Sequence, residues 1–200
     1  MSLHCALWHC LLLTTVGATT PERMLLWHPD GKCPYPGPVN VSADSIGPLP
    51  INATIYELQR ICPSADMDTT RRRFTDGMPA VPVVVFRFDS VEILAEFTAF
   101  KRLIEPGDHI DLWSVSGSAR LFGTIPMNVP WSVLAKEGGN GTMTFSGPLT
   151  KVQFARWPTF VFVYRNLSTA GTGRHRVSEG HDYIPPSAVA EELLIRRNPT

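Results

Sequence analysis

Apolar positions fall into two periods along the chain. Residues 81–88, Val-Pro-Val-Val-Val-Phe-Arg-Phe, are β-branched or aromatic almost throughout and predict a strand buried on both faces. Asp89 and Glu92 then stand in the Asp-x-x-Glu spacing of a helix cap. Val91, Leu94, Phe97, Phe100 and Ile104 follow at helical spacing up to Pro106-Gly107. Residues 109–115 alternate polar and apolar as a half-buried strand does. The order predicts a βαβ unit with parallel strands and a right-handed crossover. Beyond it, 130–136 reads as a short helix led by Pro130, and 137–142 as a glycine-rich loop. Residues 158–164 form a second strong strand, 172–177 its hairpin partner, and 186–197 a closing helix carrying Val189, Leu193 and Leu194. The sum is an α/β sandwich over 80–200, with unrelated α+β or β-sandwich folds as the alternative.

Residues 19–79 differ. Pro34, Pro36, Pro38, Pro48, Pro50, Pro63 and Pro79 remove backbone donors and fix backbone angles, which predicts an irregular arm. Its helical candidate is 54–61, with Ile55, Leu58 and Ile61 spaced for one face. No internal repeat is apparent.

The beginning of the sequence changes the setting. An apolar run over 5–16 is too short for a bilayer span of about 20 residues but suits a signal-peptide core. Val16 and Ala18 place cleavage after Ala18, so 1–18 reads as a signal peptide. No later run is long enough to span a membrane, and the last residues match neither a retention tetrapeptide nor a lipid-anchor signal. Four N-x-S/T sequons, at Asn40, Asn52, Asn140 and Asn166, then read as glycosylation sites on the surface. With Cys5 and Cys10 removed, Cys33 and Cys62 remain, and an oxidising compartment favours one disulfide between them. The expected location is the endoplasmic-reticulum lumen or outside the cell. Eighteen basic residues balance eighteen acidic ones, so no basic surface for nucleic acid is expected.

The order of elements, with Trp157-Pro158-Thr159-Phe160 opening the late strand, resembles a thioredoxin-like domain. Residues 83–89, 100–105 and 157–164 are similar to the redox-inactive endoplasmic-reticulum branch of that family, the windbeutel type of escort protein. The resemblance spans about 81–197. It implies a mixed central sheet, a cis peptide before Pro158, and a role in binding another protein. The family's nucleophilic cysteine would open the helix after the first buried strand. Asp89-Ser90-Val91-Glu92 stands there instead, and 63–200 holds no Cys.

Candidate chemistry is sparse. His175, Glu179, His181 and Asp182 lie close in sequence but match no compact metal-ligand spacing, and a polar loop explains them better. Asp108, His109 and Asp111 read as surface residues at a strand start. Ser116-Gly117-Ser118 is not a nucleophile elbow, and Gly138-Gly139-Asn140-Gly141 lacks the Lys-Ser/Thr of a phosphate loop. Arg71-Arg72-Arg73 reads as a solvated turn, with a processing site or an acidic contact as alternatives. Trp113, Trp131 and Trp157 sit inside apolar patterns and read as core. No enzyme, metal or cofactor is expected. The leading reading is a non-enzymatic secreted glycoprotein that binds a protein, redox-inactive and thioredoxin-like. The alternative is a viral or parasite secreted effector or decoy of unrelated fold. Expressed in a secreting eukaryotic cell, the protein should lose mobility heterogeneity on enzymatic deglycosylation. Asn40→Gln, Asn52→Gln, Asn140→Gln and Asn166→Gln should each remove one glycan step; an unglycosylated intracellular product would contradict the compartment.

Overall fold

The computed structural model describes residues 32–68, 83–97, 105–146, 149–165, 173–176 and 184–197. In chain order the first elements are β1 (Asn40–Val41), β2 (Ser45–Ile46), β3 (Leu49–Pro50) and α1 (Ile55–Ile61). Then come β4 (Asp66–Asp68), β5 (Val83–Phe88), β6 (Val91–Glu96) and β7 (Leu112–Gly117). The second part runs β8 (Arg120–Leu121), β9 (Ile125–Pro126), α2 (Trp131–Gly138), β10 (Gly141–Ser146) and β11 (Leu149–Phe154). It closes with β12 (Phe160–Arg165), β13 (Gly173–Arg176) and β14 (Glu192–Arg196). The strands make a five-stranded sheet ordered β3-β2-β1-β8-β9 and a nine-stranded sheet ordered β13-β10-β11-β12-β14-β7-β6-β5-β4. The described fold is therefore strongly weighted to β, with two helices.

Four expectations are corrected. The helix expected after β5 is, in its described part, the strand β6, which pairs antiparallel with both β5 and β7. Val91, Ile93 and Ala95 alternate with a period of two, in the same run whose Val91, Leu94 and Phe97 are spaced for a helix, and Asp89 at φ 39° turns the hairpin between the closing pair Phe88 and Val91. The expected closing helix is β14, held between β12 and β7. Its run Leu193-Leu194-Ile195 is buried on both faces, which suits a central strand. The strand over 173–176 exists but pairs with β10, not β12. The peptide before Pro158 is trans. Pro158 lies in a turn ahead of β12, where Phe160 N bonds Trp157 O at 3.1 Å.

Residues 33–65 also do more than an arm would. Val41, Ile46, Leu49, Ile55 and Leu58 join the same core cluster as Phe86, Trp113 and Phe162. The α1 helix is set by a capping box: Thr54 Oγ1 accepts from Glu57 N at 3.3 Å, and Glu57 Oε2 accepts from Thr54 N at 2.8 Å. The Thr54 backbone bond first, and then the Thr54 hydroxyl donating to the same Oε2 at 3.0 Å, hold the Glu57 carboxyl below its ordinary range. The interaction is thus present at neutral pH and is lost only as pH falls through that lowered value. Cys62 caps the helix at its other end and forms a disulfide with Cys33, their Cα atoms 5.1 Å apart.

The two parts of the chain are counterparts. Positions 49–68 correspond to positions 76 later, from Leu49 with Ile125 to Asp68 with Thr144. Pro50, Asn52, Leu58 and Met67 meet identical residues at Pro126, Asn128, Leu134 and Met143. Ile55 N bonds Asp108 O at 2.8 Å, and its counterpart Trp131 N bonds Ala188 O at 2.7 Å. Tyr56 N to Pro106 O, at 3.0 Å, repeats as Ser132 N to Pro186 O, at 3.1 Å. Strands β4-β5-β6-β7 match β10-β11-β12-β14 in order, and β13 is an addition outside β10. At the join, Val115 faces Leu193, Ser114 faces Leu194 and Trp113 faces Ile195. Exchanging the halves returns the same pairs, so a pseudo-twofold axis passes between Ser114 and Leu194. Four identities in twenty positions are too few to stand out by eye.

Between the halves the core trades volume. Ala95 lies opposite Trp113, while the counterpart pair is Phe162 opposite Leu193. Small against large becomes large against medium, which keeps the layer filled; overpacking would cost about 1–3 kcal/mol. Cys62 has Gly138 as its counterpart, and a Cβ there would collide with the Phe154 ring. The second half therefore has no place for the bridge. In the chain-entropy picture, the bridge, closing 29 positions, contributes about 3–4 kcal/mol. Reduction, or Cys33→Ser, should lower the melting temperature by roughly 10 °C, measured by circular dichroism; an unchanged melting curve would contradict a stabilising bridge.

Candidate functional site

The nine-stranded sheet has two faces. Its inner face carries Phe86, Trp113, Val152, Phe160 and Phe162 and packs under the helices and small sheet. Stacked Trp131 and Phe154 rings lie 5.7 Å apart, Trp131 meets Tyr164 edge-on at 5.8 Å, and Phe122 reaches Phe160 at 5.5 Å. Burial pushes the Tyr164 hydroxyl well above its ordinary pKa. That hydroxyl and the Trp113 and Trp131 indole nitrogens have no hydrogen-bond partner. They stay neutral in an apolar layer and offer no acid–base chemistry. Trp113, Trp131 and Trp157 are all buried.

The outer face is different. Val83, Val85, Val163 and Leu194 are buried but stand apart from the core cluster. Strand alternation brings Val161 opposite Leu194, and Leu194 opposite Ser114. Ser114 in turn faces Leu94. This gives a mostly apolar band running across the strands. Charged residues flank it. Lys151 is opposite Val163, and Arg196 is opposite Leu112, which faces Glu96. A cleft of about 540 Å³ opens here, floored by Leu112, Leu149, Val161, Val163 and Leu194. That volume lies within the range of small-ligand sites, about 300–1,000 Å³.

Its polar centre is built across the pseudo-twofold seam. Ser114 Oγ donates to Glu192 Oε1, and both residues are nearly closed to solvent, at 2% and 8% exposed. Arg165 neutralises that carboxylate from the rim, with Nη2 to Glu192 Oε2 at 3.7 Å and Nε to Glu191 Oε2 at 3.1 Å. Ser114 is too enclosed to meet a substrate, so the pair reads as a structural clasp. Counterpart positions have diverged. Val83 and Val85 are covered, whereas Lys151 and Gln153, which flank the matching Val152, are open.

The residues singled out in the sequence do not converge on this face. Asp108 Oδ2 accepts from Glu105 N at 2.9 Å, His109 Nδ1 contacts Asn52 O at 2.9 Å, and Asp111 Oδ1 accepts from Arg197 Nη2 at 3.3 Å. Each fastens a turn. Among the described residues no three His, Cys, Asp or Glu side chains are grouped to hold a metal. His175 lies in β13; Glu179, His181 and Asp182 lie outside the described residues, as do Arg71, Arg72, Arg73, Asn166 and the signal segment. Asn40, Asn52 and Asn140 are exposed. The first two belong to the layer over the inner face; a second depression of about 580 Å³ beside α1 includes Asn52 itself. Sequence reasoning missed Thr142, Thr144, Lys151 and Gln153. The signal was present: Thr142 and Thr144 alternate with Met143 and Phe145, and Lys151 and Gln153 with Val152 and Phe154, around Gly147-Pro148. Compared with known proteins, the chain matches no protein-family profile, no curated protein and no solved structure.

Removing the clasp should cost stability without touching the inner core. Ser114→Ala leaves a buried carboxylate short of a donor, at about 1–3 kcal/mol, or roughly 3–8 °C in melting temperature. An unchanged transition would show that the Glu192 carboxylate does not depend on Ser114.

Proposed function

We propose that this chain is a non-enzymatic secreted glycoprotein that binds a protein partner through the outer face of its large sheet. One observation carries the reading: an open cleft with an apolar floor and a charged rim, on the face away from the layer that holds Asn40 and Asn52. Exposed sequons and a buried disulfide support the secretory compartment. Among the described residues, the polar groups that line the cleft are clasped to one another or spaced along the rim.

Of the two readings the sequence raised, the secreted effector or decoy of unrelated fold is favoured. The thioredoxin-like reading drew on a helix between parallel strands, and the large sheet here is antiparallel at every described pairing. If the cleft is the binding surface, Val161→Arg should abolish saturable binding of a partner captured by the secreted protein. Val133→Arg, at an exposed position of α2, should leave that binding intact. Loss with Val133→Arg and retention with Val161→Arg would move the binding surface to the helical side. Thermal unfolding of both variants separates binding loss from misfolding.

A further inference from the structure

The charges around the cleft are not equally available. Its carboxylates are withdrawn: Glu96 is 5% exposed, and Glu192, at 8%, is held by Ser114 and Arg165. Its cations reach solvent: Lys151 is half-buried, Arg196 is exposed, and Arg165 is exposed but paired with Glu191 and Glu192. A ligand entering from solvent therefore meets a cationic rim, although the formal charges along the walls nearly balance.

The open charges are also placed in register with neutral donors. Lys151 lies directly opposite Thr144 on β10, and Thr142 is one outer-face step further along that strand. On the other side of Lys151 the register passes to Val163, and the next outer-face row holds Val161 against Leu194. Leu112 on β7 continues the apolar floor, and Glu96 on β6 ends it. From β11 to β7 is three inter-strand spacings, about 14 Å. One end of this track offers an ammonium group and two hydroxyls. Its middle is aliphatic. Its far end carries the buried Glu96 and, across Leu112, the exposed Arg196, with no neutral hydroxyl donors in register beside them.

We infer that the cleft binds an amphipathic monoanion, an aliphatic carboxylate with its head at Lys151 and Thr144 and its tail along Val163, Val161, Leu194 and Leu112. The inference rests on the outer face being a binding surface and adds the class of small molecule that occupies it. A charged head at Lys151 is favoured by Coulomb attraction in a partly desolvated site. The tail is favoured by removal of its apolar surface from water. The counterpart positions of the first half, Val83 and Val85 in place of Lys151 and Gln153, are covered valines, so among the described residues the first half does not repeat this site.

Titration of the full secreted protein with dodecanoate, by calorimetry and native mass spectrometry, tests this directly. One dodecanoate per chain is expected, with dodecylammonium binding at least tenfold more weakly. Lys151→Glu should weaken dodecanoate at least tenfold and narrow or reverse the preference between the two amphiphiles. Val161→Asp should weaken both. Absence of dodecanoate binding, equal binding of the two amphiphiles, or Lys151→Glu affinity within twofold of the parent would overturn the proposal. Lys151 is outside the core, so the variant should keep its melting transition. Failure here with partner binding still sensitive to Val161→Arg would leave the wider reading of the outer face standing.

Discussion

The pairing of β7 with β14 is the interaction on which the rest of the structure depends. It joins residues about 80 positions apart, places Ser114 against Leu194 and makes one sheet out of a four-stranded half and a five-stranded one. Without it, β7 and β14 would each present a long unpaired edge, and the apolar face beneath them would open. The two helices depend on it too, because each is anchored through backbone bonds to the turn just ahead of its half's central strand: α1 to Pro106 and Asp108, α2 to Pro186 and Ala188. The polar clasp between Ser114 and Glu192 sits across the same join, on the face away from the core.

A repeated architecture separates what the fold requires from what it is free to vary. On the inner face the halves hold apolar residues at matching positions and exchange volume between them, as Ala95 with Trp113 and Phe162 with Leu193 show. Packing density leaves little choice there. On the outer face the matching positions differ in kind, valine in one half and lysine or glutamine in the other. At these positions the change from apolar to polar falls on the surface that the core does not constrain. Such a surface can acquire a binding role at small cost in stability.

Some of this was legible in the chain itself. The strand at 83–88, the late strand, the helix beginning after Thr54 and the pairing of Cys33 with Cys62 rest on local pattern or on simple elimination, and local signals suffice for them. Residues 91–96 and 192–196 were misread because a short apolar run satisfies both periods; neighbours across the sheet, far away in sequence, decide between them. The repeat escaped notice because insertions of different length separate its segments. The offset is 76 positions from β3 to β4 but 80 at β7, and only the strand registers reveal the correspondence. The outer face could not be assembled from the sequence, since its residues come from six strands whose order is not the order of the chain.

That order has a consequence for biosynthesis. The strand that fills the centre of the large sheet is the last of the fourteen described strands to be made, and β7 ends 75 positions before β14 begins, at Gly117 and Glu192. At roughly 5–20 residues per second, the ribosome leaves β7 waiting on the order of 4–15 s for its neighbour. During that interval the nascent chain holds an apolar strand with one side unpaired, a substrate for chaperones and a hazard for premature pairing with another chain. The sheet closes from its two flanks inward, so completion of the fold is timed by the arrival of its middle.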